Sequence, residues 1–338
     1  MTAAKKKNSR RKQARFRSSR RKRIRNTVLL LLLLVVLGGT GIGAIYVLRN
    51  GTVFDKLEDA YVASREFSGG ITDLDSLRAD GFAENLCVVV SDVPMDGVSL
   101  GENQKGLLLD LDDRKVLYSK QALQKVYPAS ITKIMTAMLA LKYGNMDDVV
   151  TITQENLNLE EGSQVCGFWA GDQVTMDQLL HCLLVYSGND AAAAIAEHVG
   201  GSTDGFVEMM NSYARELGCT GTHFTNPHGL QDENHYTTPY DIYLMLKEAL
   251  NYPEFTQITQ SGSYTVEYTH ADGSSASTTL LATDHYLTGE ATPPKNVTIL
   301  GGKTGTTDNA GNCLALLSQN AYGCLLYTSP SPRDRTRS

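Results

Sequence analysis

The sequence predicts an α+β domain: an antiparallel sheet formed by both ends of the domain, with a helical block between them. Three observations predict it. β-rich runs come first, helix-forming segments fill the middle, and β-rich runs return before the C-terminus. Strands clustered at both ends with helices between them imply sheet pairing between the ends, not a βαβ alternation.

The elements follow in order. Leu86-Cys-Val-Val-Val90 is a β-rich run, so that two or three antiparallel strands come first. Gly106–Leu111 and Lys115–Tyr118 flank the turn residues Asp112-Asp-Arg114 and read as a hairpin. Pro128 and Ala129 precede Ser130, and Ile131–Lys142 is a run of helix formers with an apolar stripe at Ile134, Met135, Met138 and Leu139. Val149–Ile152 reads as a short strand or extended piece. Thr175 and Gln178 are spaced as a capping box at the start of the next helix. Alanine-rich Asn189–His198 and the amphipathic segments Gly205–Leu217 and Pro239–Leu250 are further helices. Tyr264–Thr269 and Ser277–Leu281 flank Asp272-Gly273, a hairpin turn signal. Val297–Leu300 leads into Gly301-Gly302-Lys303, and Asn312–Ser318 and Tyr322–Tyr327 read as strands.

Charge is uneven along the 338 residues. Residues 1–25 hold 13 Lys and Arg and no acid, and Thr27 to Leu48 is uncharged and mostly apolar. That length suits one helical crossing of a bilayer, and basic residues before it favour an N-in, C-out orientation. Residues 1–26 are therefore expected to be cytoplasmic, 27–48 a signal-anchor in the cell membrane, and 49–81 a stalk with a short helix at Phe54–Arg65. A cleaved secretory signal is the competing expectation. Residues 51–338 carry 17 Lys and Arg against 37 Asp and Glu, a net charge of −20, which argues against a nucleic-acid partner. None of the six cysteines forms a C-x-x-C pair, and buried free thiols are expected. His223, His228 and His235 match no zinc spacing, so no metal is expected, and no cofactor motif is present. The domain is expected to span 82–327 and to be C-terminally truncated. Residues 328–338, with two prolines and four charges in Thr328–Ser338, are expected to pack as neither strand nor helix.

Three short strings carry the chemistry: Ser130-Ile-Thr-Lys133, Ser187-Gly-Asn189 and Lys303-Thr304-Gly305. In a helix, residues i and i+3 share a face, so Lys133 can reach the Ser130 hydroxyl. A serine needs an adjacent base, and lysine is one only when desolvation or a second cation lowers its pKa; Lys303 is a candidate cation. Ser130 at a helix start also offers a backbone N–H to an oxyanion. Gly188 lets the hydroxyl of Ser187 and the amide of Asn189 face one cleft, and the Gly-rich Gly301–Thr307 strand suits close ligand approach. Each string alone is weak: Ser19-Arg-Arg-Lys22 and Ser318-Gln-Asn320 are decoys of the first two.

Taken together with Tyr127–Lys133, Tyr186–Ala192, Phe224-Thr-Asn-Pro-His-Gly-Leu230 and Gly302–Thr306, the strings resemble those of the penicillin-recognising serine enzymes. The match is nearest to the D-alanyl-D-alanine carboxypeptidases, the low-molecular-weight penicillin-binding proteins. The resemblance implies a β-lactamase/transpeptidase-like fold. It implies that Ser130 is acylated, Lys133 takes its proton, Ser187 relays a proton to the leaving amine, and Asn189 orients substrate and lysine. Lys303 and Thr304 would hold the terminal carboxylate, with Gly305 and Thr306 completing the substrate strand. The oxyanion hole would be the N–H groups of Ser130 and Thr306. The implied partners are a peptidoglycan stem peptide ending in D-Ala-D-Ala and β-lactams as covalent inhibitors. A serine β-lactamase and an inactive membrane-tethered wall-binding protein are the alternatives. The resemblance also implies a cleaved signal and a C-terminal anchor, from which this sequence departs.

Overall fold

Strands β1 (Gly106–Asp110) and β2 (Lys115–Lys120) form the expected hairpin around Asp112–Arg114 in the computed structural model, which describes residues 85–321 and 323–331. The late strands are β7 (Thr298–Thr307), β8 (Gly311–Asn320) and β9 (Gly323–Ser331). All join one antiparallel five-stranded sheet in the order β2-β1-β9-β8-β7. The two ends of the domain meet where Leu107 pairs with Thr328 and Asp110 with Leu325. Leu107, Leu109 and Leu326 are fully buried, so the pairing of the ends is sealed by apolar packing.

The helical block carries the other half of the core. A 3₁₀ turn, Ala129–Thr132, leads into α1 (Lys133–Tyr143). Every residue of α1 from Lys133 to Ala140 is buried, so this helix is a central pillar and not the one-sided stripe read from its sequence. After β3 (Val149–Thr151) and β4 (Gln173–Thr175) comes α2 (Met176–His181), and Thr175 and Gln178 do form a capping box at its start. A π turn, Cys182–Tyr186, leads to α3 (Asn189–Gly200), whose first eight residues are buried and which packs on α1. Helices α4 (Thr203–Glu216), α5 (Pro239–Ala249), α6 (Pro253–Thr259) and α7 (His285–Thr288) complete the block; the last two lie in segments with no sequence assignment.

Three expectations are corrected. Leu86–Val90 is not a strand. Cys87 and Val89 point inward and Val88 and Val90 outward, as in a strand, but among the described residues they pair with no strand ladder; the Cys87 N–H bonds the Tyr243 hydroxyl instead. The hairpin β5 (Ser263–Thr269) and β6 (Ser275–Leu281) is present, yet it joins a second sheet ordered β3-β4-β5-β6, because Thr269 pairs with Gln173. Turn chemistry fixes a hairpin locally but not the sheet it extends. The tail boundary at 328 also moves: β9 stays paired with β8 as far as Ser331 opposite Asn312. Pro330 is tolerated because pairing with β1 ends at Thr328, leaving that edge without a ladder to break.

The basic segment 1–26, the span 27–48, the stalk 49–81 with its helix, and residues 332–338 lie outside the described residues. Among the described residues no helix is long and apolar enough to cross a membrane.

Candidate active site

The serine sits where the chain is bent against its preference. Ala129 has φ of +49°, a left-handed conformation uncommon for a residue with a Cβ. A hydrogen-bond chain holds it there. The Thr225 N–H donates to His235 Nδ1 at 3.1 Å, which leaves Nε2–H of the neutral ring to donate to Thr132 Oγ1 at 2.8 Å. The Thr132 hydroxyl in turn donates to the Ala129 carbonyl at 2.8 Å. His235 is 2% exposed, and burial lowers its pKa to about 4. The Phe224–Leu230 turn is pinned to α1 by Thr136 Oγ1 donating to the Pro227 carbonyl at 2.6 Å. Among the described residues no cluster of His, Cys, Asp or Glu is arranged to hold a metal ion.

Lys133 Nζ has three partners: Asn189 Oδ1 at 2.6 Å, Ser130 Oγ at 2.9 Å and the His228 carbonyl at 2.9 Å. Two of the three can only accept. A neutral lysine has two hydrogens and one lone pair. With its hydrogens directed to Asn189 and His228, the lone pair faces the Ser130 hydroxyl. Burial pulls the Lys133 pKa well down, and the charge of Lys303 pulls it further. A lysine so placed is poised to accept a proton from Ser130.

Ser187 ends the π turn in the left-handed region, at φ 70° and ψ 34°, a strained conformation of the kind that clusters at functional sites. A Cβ on Gly188 would lie 2.3 Å from Cys166 Sγ, so only glycine fits between that thiol and α3. The Asn189 N–H donates to the Gln164 carbonyl at 2.8 Å, and buried Asp190 accepts the Cys166 N–H at 2.8 Å. The segment Glu155–Gly171 is thereby tied to the Ser-Gly-Asn string. All six cysteines are free thiols, five of them buried.

Strand β7 supplies the third string. Lys303 is 1% exposed and donates to Ser187 Oγ and to the Thr304 carbonyl, both at 2.9 Å. Burial lowers its pKa to about 7, and the carboxylate of Asp284 opposes the shift. Gly305 is obligatory by contact: a Cβ there would meet the Ser130 backbone nitrogen at 2.7 Å. The strand thus lies directly against the nucleophile turn. Thr304 Oγ1 shares a 2.5 Å hydrogen bond with Thr283 Oγ1, and the Thr306 hydroxyl donates to Asn312 Oδ1 at 3.2 Å.

A cleft of about 710 Å³ opens over these groups. Ser130, Ser187, Asn189, Thr304, Gly305 and Thr306 line it, while Lys133 and Lys303 lie beneath the two serines. All eight predicted site residues therefore converge. Glu160 and Glu161 do not line the cleft; Gly162, Ser163 and Gln164 from the same loop do. Sequence reading missed Thr283 and Asp284. Asp284 caps α7 by accepting the Tyr286 N–H at 2.9 Å, and its other carboxylate oxygen is buried with no hydrogen-bond partner. No motif marks it, because it matters through proximity to Lys303 across the fold.

The fold and the paired serines and lysines define the class of active-site-serine proteins in which lysine stands as the base. The comparisons narrow the class. Residues 101–321 match the D-alanyl-D-alanine carboxypeptidase family of peptidases, and the chain belongs to that family. It is 41% identical over 168 residues to the D-alanyl-D-alanine carboxypeptidase DacF of Bacillus subtilis, covering 48% of this chain and 42% of that one. It is 32% identical over 243 residues to DacC of Escherichia coli, covering 68% and 57%. The chain thus spans well under two thirds of the length of these curated relatives. The crystal structure of the Streptomyces K15 DD-transpeptidase superposes with a TM-score of 0.62 at 28% identity, covering 72% of this chain and 92% of that one.

Proposed function

We propose that the protein is a serine-type D-Ala-D-Ala carboxypeptidase acting on peptidoglycan stem peptides. The observation that carries the reading is the hydrogen-bond set of Lys133, which leaves only the Ser130 hydroxyl for its lone pair. Ser130 Oγ attacks the carbonyl carbon of the penultimate D-Ala as Lys133 takes the hydroxyl proton. The resulting oxyanion is held by the backbone N–H groups of Ser130 and Thr306. Collapse breaks the peptide C–N bond, and Ser187 passes a proton to the leaving amine, releasing D-Ala. Water then attacks the Ser130 ester and restores the free serine. Protonated Lys303 and the Thr304 hydroxyl hold the terminal carboxylate by charge and hydrogen bonding. β-Lactams enter by the same attack and remain as esters.

In this reading residues 27–48 anchor the domain to the outer face of the cell membrane, facing the wall. The test is intact-mass analysis after benzylpenicillin together with D-Ala release from a peptide ending in D-Ala-D-Ala. One adduct mapped to Ser130 and multiple-turnover release of D-Ala are expected. Fast turnover of nitrocefin with no D-Ala release would overturn the reading in favour of a β-lactamase.

A further inference from the structure

Trp169 is the single tryptophan of the chain, and it is 66% exposed. Lone exposed apolar side chains are ordinary, but this one is held in a fixed attitude. Its indole stacks on the His270 imidazole, with centroids 4.7 Å apart and planes 18° apart. His270 Nδ1 bonds one carboxylate oxygen of Asp172 at 2.7 Å. The other oxygen accepts the Trp169 backbone N–H at 2.8 Å. Asp172 is 1% exposed, so one buried carboxyl group fixes both the backbone and the ring beneath the indole. Tyr268 meets His270 and buried Phe168 edge-on and closes the support. One face of the indole is buttressed and the other is open.

The platform is coupled to the cleft. Gln164, five residues before Trp169, lines the cleft and accepts the Asn189 N–H. Between them, Cys166 and Gly167 donate to Asp190 at 2.8 and 3.3 Å. Five residues reach at most about 18 Å, so the indole lies within that distance of the cleft wall.

We propose that Trp169 is a stacking platform for a sugar ring of the glycan strand that carries the stem peptide. The inference rests on reading the cleft as a stem-peptide site. A pyranose offers a flat face of C–H groups with hydroxyls at its edge. The open indole matches the face, and exposed Asp272 and Ser274, on the turn that carries His270, offer polar groups to the edge. A stem peptide of about five residues extends about 17 Å, the same scale as the chain reach from the cleft wall to the platform.

The test titrates the full chain with an N-acetylglucosamine tetramer and follows tryptophan fluorescence, which reports Trp169 alone. A saturable change is expected, and calorimetry is expected to show binding lost in Trp169→Ala and retained in weakened form in Trp169→Phe. Hydrolysis of a sugar-free peptide stays unchanged in Trp169→Ala, whereas KM for the glycan-linked substrate rises about tenfold with kcat unchanged, a loss of about 1.4 kcal/mol. No saturable response to the tetramer, or a response only to anionic lipid vesicles or to free lysine, overturns the proposal. A wild-type protein that binds the tetramer but releases no D-Ala from the sugar-free peptide would defeat the reading of the cleft and leave the sugar platform standing.

Discussion

Two serine–lysine pairs face one cleft with the same 2.9 Å separation and a fully buried lysine in each, yet they are electrostatically different. Lys133 is surrounded by a carbonyl, an amide oxygen and a hydroxyl, with a second cation nearby. Lys303 has two partners and the field of a carboxylate, Asp284. Burial depresses both pKa values and a nearby carboxylate opposes the shift in each, Asp190 at Lys133 and Asp284 at Lys303, but only Lys133 is pushed further down by a neighbouring cation. The same residue pair becomes a base in one place and a cation in the other, because neighbours and not residue type set the charge state.

Removing the base breaks the comparison at its strongest point. Ser130→Ala is expected to abolish penicillin labelling outright while leaving the thermal transition in place. Lys133→Ala is expected to slow acylation about 10²- to 10⁴-fold at neutral pH, the range for loss of a general base. Stopped-flow labelling checks it, and undiminished acylation would remove Lys133 from its role. Lys303→Gln keeps a hydrogen-bond donor but no charge, so its effect is expected chiefly on KM for a substrate with a free carboxylate, with a smaller one on a C-terminal amide. Equal losses on both substrates would deny that Lys303 acts as the cation.

The pH profile sharpens the same contrast. Lys303 in the free protein loses its proton near pH 7. As pH rises through that value the positive charge disappears, so kcat/KM is expected to fall on an alkaline limb near 7. A bound carboxylate favours the charged lysine, so the corresponding limb of kcat lies at higher pH. In Asp284→Asn the carboxylate that raises the Lys303 pKa is gone, and the limb of kcat/KM is expected to move to lower pH. A limb that stays fixed would show that Asp284 does not act on Lys303.

Much of this arrangement was legible in the residues. Ser130 and Lys133 meet because i and i+3 share a helical face, and Thr175 and Gln178 cap a helix because the spacing allows nothing simpler. Both depend on near neighbours in sequence. What was not legible depends on backbone brought from afar. The His228 carbonyl that fixes the Lys133 lone pair comes from a turn 95 residues away, and a carbonyl is common to every residue type. Asp284 sits among ordinary capping residues, and its meaning appears only beside β7. The β5–β6 hairpin is legible as a hairpin, but the sheet it extends is not, for the same reason: its one link to β4 is a long-range pairing.

The smallest expected effect concerns the scaffold beneath the base. His235 bonds Thr132, and Thr132 bonds the strained Ala129, one residue from the nucleophile. His235→Ala leaves the part-buried Thr225 N–H and the buried Thr132 hydroxyl short of a partner, a cost of about 1–3 kcal/mol, and is expected to lower kcat more than it raises KM. His235→Gln, which can offer one acceptor and one donor, is expected to restore part of both. The wild type supplies its own control. The folded state keeps His235 neutral down to about pH 4, whereas an unfolded chain takes up that proton near 6.5. Between those values the unfolded state binds more protons, so stability falls as pH falls from 6.5 toward 4. His228, held neutral to about pH 3, adds to the same slope. His235→Gln removes one of the two titrating groups, so its melting temperature should decline less steeply across that window. An identical slope in wild type and variant would mean that His235 is not the neutral link on which the Ser130 turn rests.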